Sequence, residues 1–345
     1  MRNAVLIGKS LGAVAKLLKS EDFVELLKLD SVPAIAGYLK DRTSYGDILK
    51  PIDVSEIHRR ELEVLLRKKS LNDVYRFYGY LDMNSRKIAR MMGKRFEIEN
   101  LKMILRSKHT RTDISMEKFY PVLHPELDLE ELLKIETMDE TIEKLKGTSY
   151  GRILESSMHM YKDLNLVSVF ENALDTWYFT ELERIMMMNP RFSRVRRFLR
   201  MQKDLFNIQW IFRARLIFKL GRNEIMGFLI PTKDAEMLEI FDELSKAKGM
   251  NDFIEKLSRT KYSRITDVLK SSKLPIDFLF SRVIYRFMWE EAKKLLHDMN
   301  DGLHSFIGYA HLKEFEFMDL VSIIEGIRYR MEMELVSEYL INPIG

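Results

Sequence analysis

The segment TSYGDIL occupies residues 43–49, TSYGRIL residues 148–154, and a looser copy, TKYSRIT, residues 260–266. A turn written three times, at intervals of 105 and 112 residues, restricts the chain to architectures built from a repeated unit. True repeats must keep step elsewhere. Upstream of the second threonine, LEELLKIETMDETIEKLKGT (129–148) resembles DFVELLKLDSVPAIAGYLKDRT (22–43), and MNDFIEKLSRT (250–260) matches too, IEKLSRT against IEKLKGT. Downstream, EIENLKMILR, DLFNIQWIFR and EFMDLVSIIE place Asn100, Asn207 and Asp319 at 57, 59 and 59 residues from Thr43, Thr148 and Thr260. Two landmarks thus hold their phase through three copies.

Each unit reads as helices. Glycine (15) and proline (8) are scarce in 345 residues, so helix breakers are few. Ile142 and Leu145 share a face, and Thr137 with Glu140 has the spacing of a capping box. At the turn, Thr43, Thr148 or Thr260 can accept a hydrogen bond from the first amides of the next helix, which contributes about 1 kcal/mol. Gly46 and Gly151 permit close backbone approach, and Ser263 takes that place in the third copy. Tyr45, Tyr150 and Tyr262 are expected to bury their rings and give their hydroxyls a partner. Aromatic-rich helices follow at VYRFYGYL, DTWYFTEL and YRFMWEEA. A long helix closes each unit; in the first, Ile88, Met91, Met92, Arg95, Ile98, Leu101 and Leu105 form one stripe. The expected organisation is an N-terminal helix (1–20) and three repeats, 21–125, 126–235 and 236–345. The N-terminal helix is expected to stand in for a preceding long helix and to dock near the C-terminal one.

Chemical motifs are thin. There is no cysteine, which excludes disulfides and thiolate metal sites. Gly8-Lys9-Ser10 resembles the end of a phosphate-binding loop, but position 3 is Asn where glycine is needed. His297, His304 and His311 would stand about 10 Å apart on one helix, and Asn300-Asp301-Gly302 is expected to break it. The other histidines are scattered. The carboxylates between Glu126 and Glu143 read as solvated helix starts rather than an acid–base pair. The methionines, including Met186, Met187 and Met188, read as core filling. RFSRVRRFLR (191–200) interleaves arginine with apolar residues, with Phe192, Val195 and Leu199 expected to face inward. The net charge of +4 is mild and does not call for nucleic acid. No catalytic residue, cofactor or metal is expected, and no uncharged apolar run approaches the ~20 residues that cross a bilayer.

The order and spacing of the T-x-Y turns and the N/D-L-x-x-I helices resemble the C subunit of the archaeal A-type ATP synthase. That family is related to the C subunit of bacterial V-type enzymes and the d subunit of the eukaryotic V-ATPase. The resemblance runs from NAVLIGKSLGAVAKLLKSEDFVELL to EGIRYRMEMELVSEYL. It implies an all-α funnel or socket of three homologous repeats with pseudo-threefold symmetry. It implies a non-catalytic part of the central rotor, one copy per complex, on the cytoplasmic face of the membrane. The partners implied are central-stalk subunits and the cytoplasmic loops of the membrane rotor ring, with no nucleic acid. Arg191, Arg194 and Arg197 are the candidate partner-binding rim. Two departures stand out: the third turn lacks glycine, and Asp319 with Glu325 replaces Asn with Arg106 or Arg213. The alternative is a helical-repeat scaffold that binds nucleic acid or another protein through 191–200.

Overall fold

Helix ends in this chain are set by short polar side chains that satisfy otherwise unpaired amides. Asp128 accepts from the Glu131 amide at 3.0 Å, and Asp301 from the Leu303 amide at 2.9 Å. At Thr137 the Glu140 amide donates to the hydroxyl (3.3 Å), and the hydroxyl donates to the Glu140 carboxylate (2.7 Å). The computed structural model describes residues 2–187, 189–271 and 275–344. Among the described residues there are 18 α-helices and no strand, so the fold is all-α. No described helix is long and apolar enough to cross a membrane.

Three long helices organise the chain: Met83–Thr110, Ser193–Phe212 and Gly302–Arg328. In the first, Ile88, Met91, Ile98, Leu101 and Leu105 are buried, while Met92 and Arg95 are half-buried. The second runs on through a π-turn, Arg213–Ile217, where Arg215 donates to the carbonyls of Ala247 (2.8 Å) and Leu220 (3.1 Å). The third follows Asp301, so the chain does break between His297 and His304.

The expected aromatic helices differ in kind. DTWYFTEL lies within Ser168–Met187 and YRFMWEEA within Ile276–Leu296. At VYRFYGYL, however, the α-helix Arg59–Tyr75 stops and the tighter 3₁₀ segment Arg76–Tyr80 takes over. Phe77 thereby packs on Phe306 and Tyr309, with ring centroids 5.6 and 5.2 Å apart. Tertiary packing has overridden the local helical pattern there.

The chain divides into two compact units. One is Met1–Asp82 with Met250–Gly345; the other is Met83–Gly249. In the first, Phe23, Leu26, Ile35, Leu39 and Leu62 share a core with Leu320, Ile324, Val336 and Leu340, which joins both ends of the chain. The N-terminal helix, Arg2–Val14, lies along the third long helix, and Asn3 bonds across to the Asn300 carbonyl at 3.2 Å. Ile276–Leu296 crosses the same helix at Gly308. A Cβ there would sit 2.5 Å from the Leu296 nitrogen, so no other residue fits. In the second unit, the first long helix packs on Ser168–Met187, where buried Lys102 pairs with half-buried Asp175 at 2.5 Å.

Candidate functional site

The possible chemical sites are occupied by ordinary structural bonds. Gly8, Lys9 and Ser10 lie inside the N-terminal helix, where their amides serve the helix and the Ser10 hydroxyl donates to the Leu6 carbonyl at 2.9 Å. His304 is buried against Asp298 (3.0 Å), while His311 and His297 each bond a carbonyl in their own helical turn. No group of residues suited to a metal ion occurs among the described residues. Met186 is buried and Met187 exposed; Met188 lies outside the described residues.

What the molecule repeats is a pair of polar locks. The first starts at the turn. Each threonine hydroxyl donates back to the helix it ends: Thr43 to the Leu39 carbonyl (2.7 Å), Thr148 to Leu145 (2.7 Å) and Thr260 to Leu257 (2.8 Å). Each also accepts from the tyrosine amide two residues on, at 3.2, 3.2 and 3.1 Å. The hydroxyl therefore spans the turn, where the sequence suggested only a cap for the following helix. Gly46 and Gly151 follow. A Cβ at Gly46 would meet the Lys40 carbonyl oxygen at 2.5 Å, and one at Gly151 would overlap the Leu145 oxygen. In the third copy the next helix begins later, at Arg264, and Ser263 is accommodated. Gly151→Ala is expected to cost about 2 kcal/mol by forcing backbone apart, read as a lowered Tm. Ser263→Ala should leave the Tm nearly unchanged.

The tyrosines that follow are buried, and two of them complete the lock on a distant glutamate. Tyr150 donates to Glu97 of the first long helix at 2.6 Å, and Tyr45 donates to Glu316 of the third at 2.8 Å. The surroundings match closely. Glu97 also accepts from the Leu127 amide (2.9 Å) and from Lys94 (3.3 Å). Glu316 also accepts from the Leu18 amide and from Lys313 (2.6 Å). Burial, then the adjacent glutamate, push both phenols well above the ordinary tyrosine range, so each remains a donor. The first turn is thus met by the last long helix itself. The N-terminal helix, expected to substitute for such a helix, instead leads the chain to Leu18.

One member of the acidic run does more than solvate a helix start. Glu126 pairs with Lys94 and accepts from the Ser149 hydroxyl at 2.9 Å. Burial resists its ionisation, but the bonds from Lys94 and Ser149 prevail and hold its carboxyl below the usual range.

The second lock uses the Asn/Asp landmarks. The Asn100 side chain donates to the Tyr120 carbonyl (2.9 Å) and accepts from the Tyr120 amide (2.7 Å). Asn207 does the same to Ile230, at 2.9 Å in both directions. Asp319 accepts instead from two successive amides, Ile341 at 2.7 Å and Asn342 at 2.9 Å. The residue after the clamped one explains the change. Pro121 and Pro231 follow Tyr120 and Ile230 and have no N–H, so an amide side chain must take both groups of one residue. Asn342 does have an N–H, and an acceptor-only carboxylate suits two donors. Burial pushes Asp319 up to about 7, against the two amides and Arg282 and Arg286, which pull it down. The recurring Tyr-Pro, Ile-Pro and Ile-Asn-Pro segments were the available signal for this lock.

The other departure of the third copy is an exchange of charge. Arg106 donates to Glu171, whereas Glu325 pairs with Arg59. In the arginine segment, Phe192, Val195 and Leu199 are buried, and Arg191, Arg194 and Arg197 are exposed. Arg200 is tied to Glu183 at 2.7 Å.

Comparison with known proteins gives these locks a context. The family described as ATP synthase (C/AC39) subunit matches residues 6–339. The C subunit of the A-type ATP synthase of Methanocaldococcus jannaschii is 25% identical over 341 residues, which span 95% of this chain and 83% of the relative. That of Methanobrevibacter smithii is 24% identical over 324 residues, 91% of this chain and 81% of the relative.

Proposed function

Because the chain belongs to the ATP synthase (C/AC39) subunit family, we propose that it is the non-catalytic rotor coupling of an A/V-type ATP synthase. In this reading it links the central stalk to the membrane rotor ring and transmits torque during ion-coupled ATP synthesis or hydrolysis. One copy sits peripherally on the cytoplasmic face, its three repeats set about a pseudo-threefold axis as a socket.

The observation that carries the proposal is the way two of the long helices are fastened to another copy's turn. Glu97 of the first repeat holds Tyr150 of the second, and Glu316 of the third holds Tyr45 of the first. A coupling must resist shear between its parts. Buried, charge-assisted hydrogen bonds with fixed geometry give such stiffness, and loosely packed helices would not.

A socket of this kind needs an interface of roughly 2,000 Å² or more with its shaft. Arg191, Arg194 and Arg197 are proposed as part of its rim, where charge sets orientation and association rate more than affinity. The full-length chain should co-elute with central-stalk subunits in gel filtration. Reversing the three charges to Glu should weaken that association about tenfold at low salt, and less at high salt. Unchanged binding at low salt removes these arginines from the rim. Tight binding to nucleic acid with no association with stalk subunits overturns the rotor reading and favours the scaffold alternative.

A further inference from the structure

Each of the three helices that carry Asn100, Asn207 and Asp319 ends on the same strained backbone turn, and a basic residue occupies it each time. Arg111, Lys219 and Arg330 have φ of 53°, 59° and 51°. The amide that follows closes the cap: Thr112 to the Ser107 carbonyl at 3.0 Å, Leu220 to Ala214 at 2.9 Å, and Met331 to Gly326 at 2.9 Å. Glycine is the residue such a cap ordinarily takes, because a Cβ crowds the backbone there. A helix C-terminus attracts cations, but Lys108, Arg215 and Arg328 in the last turns already meet that demand without strain. Where such a cation also stands among exposed apolar side chains, the costly position points to a use for its side chain.

Two of the three tips add exposed apolar surface. Ile217 and Phe218 precede Lys219, each 49% exposed; Tyr329 (64%) and Met331 (39%) flank Arg330. The first tip has only Thr110 and Thr112 beside Arg111. Tyrosine, methionine and arginine are enriched where proteins meet, and a cation among apolar groups suits a carboxylate that is desolvated on docking. Residues 328–334 are all exposed and carry two basic and two acidic side chains. An anionic bilayer rewards net positive charge, which the Arg330 tip lacks and the Lys219 tip, with Arg213, Arg215 and Arg222 beside it, does not; a protein surface can match the alternating signs around Arg330.

We infer that the tip at Arg330 is a docking anchor for a carboxylate-bearing, apolar-edged surface on another subunit of the same complex, and that the tip at Arg111 is not. The inference rests on the rotor reading only for the choice of partner. Its test is rebinding of the full-length chain to membranes that carry the ATP synthase of the same cells and have been washed free of this protein. Arg330→Gly removes the charge and relieves the backbone. It is expected to keep or raise the Tm while weakening rebinding about tenfold; Arg330→Lys should rebind nearly as wild type. Arg111→Gly should raise the Tm and leave rebinding unchanged. Rebinding unaffected by Arg330→Gly, or equally impaired by Arg111→Gly, overturns the inference, as does a lowered Tm in Arg330→Gly. Binding to protein-free vesicles of phosphatidylglycerol and phosphatidylcholine that falls in Arg330→Gly assigns the tip to lipid and overturns the protein partner. Failure of the wild-type chain to rebind overturns the rotor reading itself.

Discussion

Glu316→Ala is expected to destabilise the folded chain by about 4 kcal/mol, because it takes the near partner from a buried cation. Lys313 is 1% exposed at its side chain, and its near partner is Glu316 at 2.6 Å; Asp73 stands farther off at 3.8 Å. The same substitution takes the acceptor from the Tyr45 hydroxyl and from the Leu18 amide, both buried. The equivalent Glu97→Ala should cost about half as much, roughly 2 kcal/mol. Lys94 is 26% exposed and keeps Glu126 as a partner, so its charge is not left unmatched. Equilibrium denaturation of the two variants measures the difference. Equal losses would mean that the burial of Lys313 contributes nothing and that the lock is only a set of neutral hydrogen bonds.

The comparison of these glutamates also indicates what a sequence can and cannot disclose. The turn was legible because its determinants are local: a hydroxyl, an aromatic ring and a small residue within four positions. The Asn/Asp landmarks were legible by phase. The partner of Tyr45 was not, because Glu316 lies 271 residues away and neither periodicity nor propensity links such positions. A trace of it was present. Glu97, Asp204 and Glu316 each stand three residues before Asn100, Asn207 and Asp319, at the head of the strings that established the repeat. The pattern drew attention to the landmark rather than to the acid that precedes it. Arg76–Tyr80 escaped for a different reason. Its aromatics have a helical look, but the rings of Phe306 and Tyr309 set the backbone there, and they come from the far end of the chain. The helical setting of Gly8, Lys9 and Ser10 was easier to anticipate, since the preceding glycine of a phosphate loop is missing. The break between His297 and His304 was signalled by Asn300-Asp301-Gly302. The arginines of 191–200 could be sorted into inward-facing neighbours and an outward face by spacing alone, but spacing does not say what the outward face meets.

The Asn-to-Asp exchange among the second locks gives the other large effect, and it carries a pH signature. Asn207→Asp places a carboxylate oxygen where the side-chain NH₂ now donates to the buried Ile230 carbonyl at 2.9 Å. Two acceptors then face each other without a proton between them, and Pro231 offers no N–H to compensate. The expected loss at pH 7 is about 4 kcal/mol. Protonation restores the pattern, since a carboxylic acid can donate to the Ile230 carbonyl and accept from its amide as asparagine does. The introduced acid therefore has a folded-state pKa above its unfolded value of about 4. A raised pKa of this sign means that stability is retained below the unfolded value and lost as pH climbs through the folded one. Unfolding free energies of Asn207→Asp and of the wild-type chain should accordingly converge near pH 4 and separate toward pH 8. Asp319→Asn should behave otherwise. Its NH₂ would oppose the Asn342 amide, costing about 2 kcal/mol at pH 8, where Asp319 is ionised and accepts from both amides. A pH-independent loss in Asn207→Asp would refute the account in which the proline after the clamped residue dictates the choice between amide and acid.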